Sequence, residues 1–208
     1  LGTSTKPEHL DLKLANRHGL IAGATGTGKT VSLQILAEGF SNHGVPVFCA
    51  DVKGDLSGLA AKGVSKDFLE NRAETIGFKD YIYEKFPCVF WDLFGKDGHP
   101  IRTTVKEMGP ILLSRLLDLN ETQEGVLTIA FRLADDENMP VLDMKALRKL
   151  MAHVAERASE LTGEYGSVSK SSVGAIQRRL LVLEEQGAEN FFGEPALDIR
   201  DFMRTTSD

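Results

Sequence analysis

A glycine-rich run at residues 23–30, Gly23-Ala24-Thr25-Gly26-Thr27-Gly28-Lys29-Thr30, follows the pattern G-x-x-x-x-G-K-[ST] at each defined position. A short apolar segment, residues 20–22, comes directly before it. Apolar residues then recur at helical spacing over residues 33–40, and Gly44 is a suitable helix stop. A strand, a glycine-rich turn and a helix form the setting in which this pattern binds phosphate, so the run predicts a phosphate-binding loop.

The residue types in this loop suit a nucleoside triphosphate. Glycines let the backbone approach the phosphates closely, and the N–H groups at the start of the following helix add positive potential. Lys29 is predicted to reach the β and γ phosphates as the catalytic cation, and the Thr30 hydroxyl to bind Mg²⁺. The predicted nucleotide contacts are therefore Gly23, Ala24, Thr25, Gly26, Thr27, Gly28, Lys29 and Thr30.

The segments around the loop favour an α/β fold. Residues 45–50 form a near-continuous apolar run, so a strand, a helix and a second strand follow one another, as in a βαβ unit with a parallel sheet. Residues 88–91 predict a third strand, and the alternation of Leu10, Leu12 and Leu14 predicts a half-buried one. Between the apolar runs 45–50 and 88–91, Phe68 and Leu69 indicate a short helix.

From residue 105 the pattern becomes helical. Good N-cap residues stand at Asn120, at Asp143 and at Ser169 or Ser171. Two amphipathic stripes follow, one of Leu147, Leu150, Met151, Val154, Ala158 and Leu161, the other of Val173, Ile176, Leu180 and Leu183. The expected organisation is an α/β nucleus over residues 1–104, a helical insertion over 105–190, and a return toward the sheet over 191–208.

Two acidic residues are candidates for the active site. A phosphate-binding loop needs a carboxylate at a strand end to hold Mg²⁺ through water, and hydrolases often add a second acid that orients the attacking water. Asp51 follows the apolar run 45–50, and Asp92 follows the run 88–91. Each has a plain alternative, an aspartate that organises a turn at the end of a strand.

Composition excludes several classes of protein. The 208 residues carry 24 basic and 30 acidic side chains, a net charge of −6, and 42% of the residues are hydrophobic. A disordered tail would be less hydrophobic, and the acidic balance argues against bulk attraction to nucleic acid or an anionic membrane. No apolar run reaches the length of a membrane helix, and no secretory leader is visible.

The cysteines and the chain ends give further expectations. Cys49 and Cys88 lack metal-site or redox spacing and lie in apolar runs, so we expect buried free thiols in a reducing, cytoplasmic compartment. The chain begins at Leu1 and ends on a polar stub, residues 204–208. We therefore expect an incomplete fragment of a longer protein.

Further stretches carry a resemblance to a known family. Before the loop stands Asn16-Arg17-His18-Gly19-Leu20-Ile21-Ala22. After it come Asp51-Val52-Lys53-Gly54-Asp55-Leu56-Ser57-Gly58, Phe90-Trp91-Asp92-Leu93-Phe94-Gly95 and Arg102-Thr103-Thr104-Val105. With the loop, they resemble the HerA-like P-loop ATPases of the HerA/FtsK superfamily. The resemblance implies a RecA-like parallel sheet of the additional-strand, catalytic-Glu type, and ATP with Mg²⁺ as the cofactors. The residues of the loop do not themselves select adenine over guanine; a GTPase would need an N-K-x-D reader, and none occurs in these 208 residues.

The resemblance also implies an assembly and a missing part. Members of the superfamily form hexameric rings and include DNA translocases, so a homo-oligomer and DNA are the implied partners. Their Walker B strand ends in Asp-Glu after the helical block, and no such sequence precedes Asp208. The chain then corresponds to an N-terminal part of the ATPase that binds ATP but is inactive alone, because its catalytic acids lie beyond residue 208.

Two other functions stay open. A P-loop phosphotransferase would use Asp51 to hold the acceptor and the helical block as a lid. A nucleotide-gated interaction module would dock a partner on its helices without turnover.

Overall fold

The computed structural model describes residues 2–3, 7–78 and 81–203. The chain divides into two compact units, the first of residues 1–89 with 199–208 and the second of residues 90–198. The second is the helical unit.

The first unit contains two α-helices among its described residues, α1 (Lys29–Asn42) and α2 (Asp67–Thr75). A small antiparallel pair joins β1 (Gly2–Thr3) to β2 (Pro7–Glu8). Single turns of 3-10 helix occupy Leu12–Leu14, Ser57–Ala60 and Ile199–Met203. The predictions of a helix after the glycine-rich loop and of a short helix at Phe68 and Leu69 are confirmed.

The predicted RecA-like parallel sheet is wrong. Over the described residues the chain is mainly helical, and residues 20–22 and 45–50 pair with no strand. Residues 12–14 form a 3-10 turn, so the half-buried strand predicted there is also wrong. At the third predicted strand only β3 (Trp91–Asp92) forms, in a two-stranded parallel pair with β4 (His99–Pro100).

Burial explains why the apolar runs are not sheet strands here. Strands of a parallel sheet are covered on both faces, usually by the helices that connect them. In the structure Leu20 is 90% exposed, Phe48 70% and Val89 65%, so these runs have no such cover. The expected α/β class therefore gives way to a mostly helical architecture over the part of the chain that the structure describes.

The helical unit holds six helices in its described residues. They are α3 (Val105–Leu116), α4 (Glu121–Asp136), α5 (Met144–Glu156), α6 (Ala158–Tyr165), α7 (Lys170–Glu185) and the short α8 (Ala188–Phe191). Gly109 has a positive φ of 70° and kinks α3 just before Pro110. Side chains of Asn120, Asp143 and Ser169 accept backbone N–H bonds at the helix starts, which confirms these predicted N-caps.

The core of this unit lies among α4, α5 and α7. Both predicted stripes face it, and Leu147, Met151, Leu161, Ile176 and Leu180 have no exposed surface. The stripe at 147–161 crosses two helices rather than one, because Arg157 ends α5 and precedes α6. The burial of one apolar stripe per helix accounts for the packing of the bundle.

Arg102, which belongs to one of the stretches that carry the family resemblance, anchors the end of the unit. The Arg102 guanidinium donates to the carbonyl oxygens of Glu189 (3.4 Å), Asn190 (3.1 Å) and Glu194 (2.8 Å). Beside it, the Thr103 N–H donates to the Phe191 carbonyl at 3.0 Å. These bonds satisfy carbonyl groups at the end of α8, where no further helical turn follows.

A tyrosine on α6 provides a pH-dependent test of the bundle. The Tyr165 hydroxyl donates to Asp136 Oδ2 at 3.0 Å, and this bond together with partial burial raises the pKa of Tyr165 from 10.0 to about 12. Because the raised pKa favours the protonated form, the bond stabilises the fold below about pH 10 and is lost as the pH rises through about 12.

We expect an ultraviolet titration of tyrosinate to contain a step near pH 12. Tyr165→Phe should remove this step, and Asp136→Asn should move it down toward 10.0, the ordinary tyrosine pKa. Tyr81→Phe serves as the control, since it removes a different tyrosine and leaves the α4–α6 contact intact. A step that survives in Tyr165→Phe would contradict the assignment.

Candidate phosphate-binding site

The glycine-rich loop has the backbone conformation that its glycines allow. Gly26 and Gly28 have φ values of 80° and 90°, in the left-handed region that L side chains rarely adopt. A Cβ on Gly23 would stand 2.5 Å from Thr27 Oγ1, so a side chain there would clash. The loop therefore requires glycine at these positions for local reasons.

Helix α1 begins at the motif lysine. Gly28 is its N-cap, and no described side chain caps this terminus or places an acidic group in its first turn. The Gly28 carbonyl accepts the Ser32 N–H at 2.9 Å, which starts the regular helical pattern. The first N–H groups of α1 are therefore available to an anion at the loop.

The Lys29 ammonium turns back over its own loop. Its Nζ donates to the Gly23 carbonyl at 2.8 Å and to the Ala24 carbonyl at 2.7 Å. The Thr27 hydroxyl also donates to Ala24 O, at 2.8 Å. Lys29 therefore lies against the loop carbonyls, and its contact with the β and γ phosphates stays a prediction. Thr30 is half-buried at the first turn of α1.

Asp51 organises the loop that follows residues 45–50. Its carboxylate accepts backbone N–H bonds from Leu56 (2.8 Å), Gly54 (2.9 Å) and Lys53 (3.2 Å). The Leu56 bond above all, with those from Gly54 and Lys53, lowers the pKa of Asp51, so the carboxylate is ionised at neutral pH. Gln34 of α1 donates to the Asp55 carbonyl at 3.1 Å, which ties this loop to the helix that begins at Lys29.

Asp92 has the same arrangement in the helical unit. Its oxygens accept N–H bonds from Lys96 (2.7 Å), Asp97 (2.9 Å) and Phe94 (2.9 Å). The bond from Asp97 is the largest of the causes that lower the pKa of Asp92. Both acids therefore organise turns, as their plain alternative predicted, and their roles at an active site stay predictions.

The first unit also contains groups that the motif analysis missed. Glu38, one helical turn after Gln34 on α1, has a raised pKa because of burial and of the nearby Glu84 carboxylate. A pocket of about 490 Å³ is lined partly by Phe78, Tyr81 and Tyr83, whose rings contact one another.

Three further features of the described residues concern the cysteines, metal-binding groups and membrane helices. Cys49 and Cys88 are free thiols, but both are exposed, so the prediction that they are buried is wrong. The described residues contain no group of three or more His, Cys, Asp or Glu side chains that could hold a metal ion. In the same part of the chain, no helix has both the length and the apolar character needed to cross a membrane.

Comparison with known proteins places the chain in a family. No curated protein and no solved structure matches it. The family model described as "Helicase HerA-like C-terminal" matches residues 2–208. Its description names a C-terminal region, so it does not confirm the narrower expectation of an N-terminal part of the ATPase. Because the match covers nearly every residue, the chain belongs to the helicase HerA-like C-terminal family.

Proposed function

We propose that this chain is the ATP-binding part of a HerA-like P-loop ATPase, with residues 23–30 as the nucleotide site. One observation carries the proposal: the complete motif lies at the start of a helix whose N-cap, Gly28, takes the left-handed conformation. The family match supports a HerA-type ATPase as the parent protein. The proposal depends on the loop and on α1, and not on a parallel sheet.

Each residue of the loop has a distinct task in this proposal. The N–H groups of the loop and of the first turn of α1 bind phosphate oxygens, and Lys29 neutralises the β and γ phosphates. The Thr30 hydroxyl supplies one ligand to Mg²⁺, which keeps most of its water molecules. Lys29 uses two of its three ammonium N–H donors on the carbonyls of Gly23 and Ala24, so contact with both phosphates exchanges at least one of these bonds.

In this proposal the whole parent protein, and not this chain alone, hydrolyses ATP. The resemblance supports a homo-oligomeric, hexameric ring in which ATP turnover drives translocation or unwinding of DNA. Within the described residues, the carboxylate oxygens of Asp51 and Asp92 are already bound by backbone N–H groups. We therefore propose binding without appreciable turnover by this chain alone. Stimulation of the parent ATPase by duplex or single-stranded DNA would test the DNA part.

Thr30→Val tests the Mg²⁺ ligand, because valine keeps the β-branched shape and removes only the hydroxyl. We expect ATP affinity in the presence of Mg²⁺ to fall on the order of tenfold, while affinity measured with EDTA stays unchanged. Calorimetric titration of ATP under the two conditions measures this difference directly.

The matched control is Thr128→Val, which makes the same chemical change at an exposed position of α4, outside the loop. Its ATP affinity should not depend on the substitution in either condition. An equal loss with and without Mg²⁺ in Thr30→Val would argue against the metal role and point to a distorted loop.

A further inference from the structure

A groove in the helical unit joins the start of α4 to the exposed side of α7. It has a volume of about 430 Å³, and its polar lining residues are Asp118, Asn120, Gln123, Arg178 and Arg179. We call it the α4–α7 groove. It lies entirely within residues 90–198 and shares no residue with the phosphate-binding loop.

The two arginines of the groove have guanidinium N–H donors that are available to a ligand. Arg178 is exposed, and its guanidinium forms no hydrogen bond or ion pair with another residue that the structure describes. Arg179 reaches Asp118 through a single contact of 3.4 Å, and the Asp118 side chain is 90% exposed. Exposed ion pairs of this kind contribute little energy, so Arg179 remains available to another anion.

The two amides of the groove add further donors. Asn120 Oδ1 accepts the Gln123 N–H at 3.0 Å, and Gln123 Oε1 accepts the Asn120 N–H at 3.2 Å. This capping box uses the side-chain oxygen of each amide at the helix start. Both NH₂ groups are left without an acceptor among the described residues, and the lining of the groove is therefore rich in donors.

The charges of the lining favour an anion. The lining carries two arginines against one carboxylate, Asp118, while the acidic residues of the first turn of α4, Glu121 and Glu124, lie outside it. A planar guanidinium binds phosphate through two parallel N–H bonds, and a neighbouring pair can share its oxygens. We propose that the α4–α7 groove binds a phosphate group, as a free phosphate or as the phosphodiester of a nucleic acid strand.

The test uses the full chain carrying Lys29→Ala, because this substitution removes the contribution of the phosphate-binding loop. A failure of the proposed nucleotide site can then be told apart from a failure of the groove. Pyrophosphate binding is measured by calorimetry, and binding of a labelled oligothymidylate by fluorescence anisotropy at low salt. The test variant adds Arg178→Gln and Arg179→Gln. The control adds Arg132→Gln and Lys149→Gln, which remove the same charge from exposed positions outside the groove.

We expect the test variant to bind at least one probe roughly tenfold more weakly than the control variant. A loss for pyrophosphate identifies a site open to free phosphate. A loss for the oligonucleotide alone identifies the phosphodiester, with a salt dependence shallower by about 1.4 in slope for two lost contacts.

Three results would overturn the proposal. They are binding of neither probe by the Lys29→Ala chain, equal affinities in the test and control variants, and an equal tenfold loss for a polyglutamate peptide, which would show a general anion site. Circular dichroism checks that the test variant is folded, which we expect because both arginines are exposed.

Discussion

Lys29→Ala should reduce ATP affinity by roughly a hundredfold or more. The ammonium is the one side-chain cation of the motif, and charge-assisted hydrogen bonds to phosphate contribute about 1.5–3 kcal/mol each. Loss of two such bonds corresponds to about 3–6 kcal/mol, or at least two powers of ten in the dissociation constant. Calorimetric titration of the wild-type chain and the variant with ATP and Mg²⁺ measures the change.

The fold should survive this substitution. In the structure Lys29 donates only to the exposed carbonyls of Gly23 and Ala24, and water can replace it at both. Lys62→Ala is the matched control, since it removes the same charge from an exposed position of the same unit. Unchanged ATP affinity in Lys29→Ala, beside a folded circular dichroism spectrum, would refute the nucleotide site.

The sequence predicted the helices well because their starts and their buried faces depend on local features. A left-handed Gly28 followed by Lys29 starts α1 without help from distant residues. Asn120, Asp143 and Ser169 cap their helices through bonds to N–H groups three residues away. Stripes such as 147–161 face the core because their spacing matches one side of a helix. The break at Arg157 and the short helix α8 were not predicted.

The prediction of a parallel sheet was wrong because a strand is not a local structure. Residues 45–50 have the apolar character of a buried strand, but a strand forms only where a partner supplies backbone hydrogen bonds and a second layer covers its faces. Periodicity reports neither condition, and Phe48 remains 70% exposed in the structure. The burial predicted for Cys49 depended on the same sheet and failed with it.

The roles of the two candidate acids could not be predicted from the sequence for a related reason. Position after an apolar run identified Asp51 and Asp92, but position alone does not distinguish a metal ligand from a turn-forming aspartate. Several backbone N–H groups converge on each carboxylate, and these bonds depend on the path of the next five residues. The α4–α7 groove could not be found from the sequence for a similar reason, because the residues at the start of α4 and those of α7 that line it are distant in sequence.

The second large effect concerns the core of the helical unit. Leu180 of α7 has no exposed surface and packs within the cluster formed by α4, α5 and α7. Truncation to alanine removes buried methyl groups and leaves a cavity, which costs about 2–5 kcal/mol. A domain is typically stable by only about 5–15 kcal/mol, so Leu180→Ala should remove a large part of the stability of this unit. Urea unfolding followed by circular dichroism measures the loss.

Leu181, the residue next to Leu180 on α7, provides the control, because it allows the same substitution on the same helix. Leu181 is 44% exposed, and Leu181→Ala should cost about 1 kcal/mol or less. Helix propensity changes equally in the two variants, so the difference between them isolates burial. Trp91, the single tryptophan of the chain, lies in the same unit and gives a second signal for its unfolding. Equal losses in the two variants would show that α7 does not bury the face that carries Leu180.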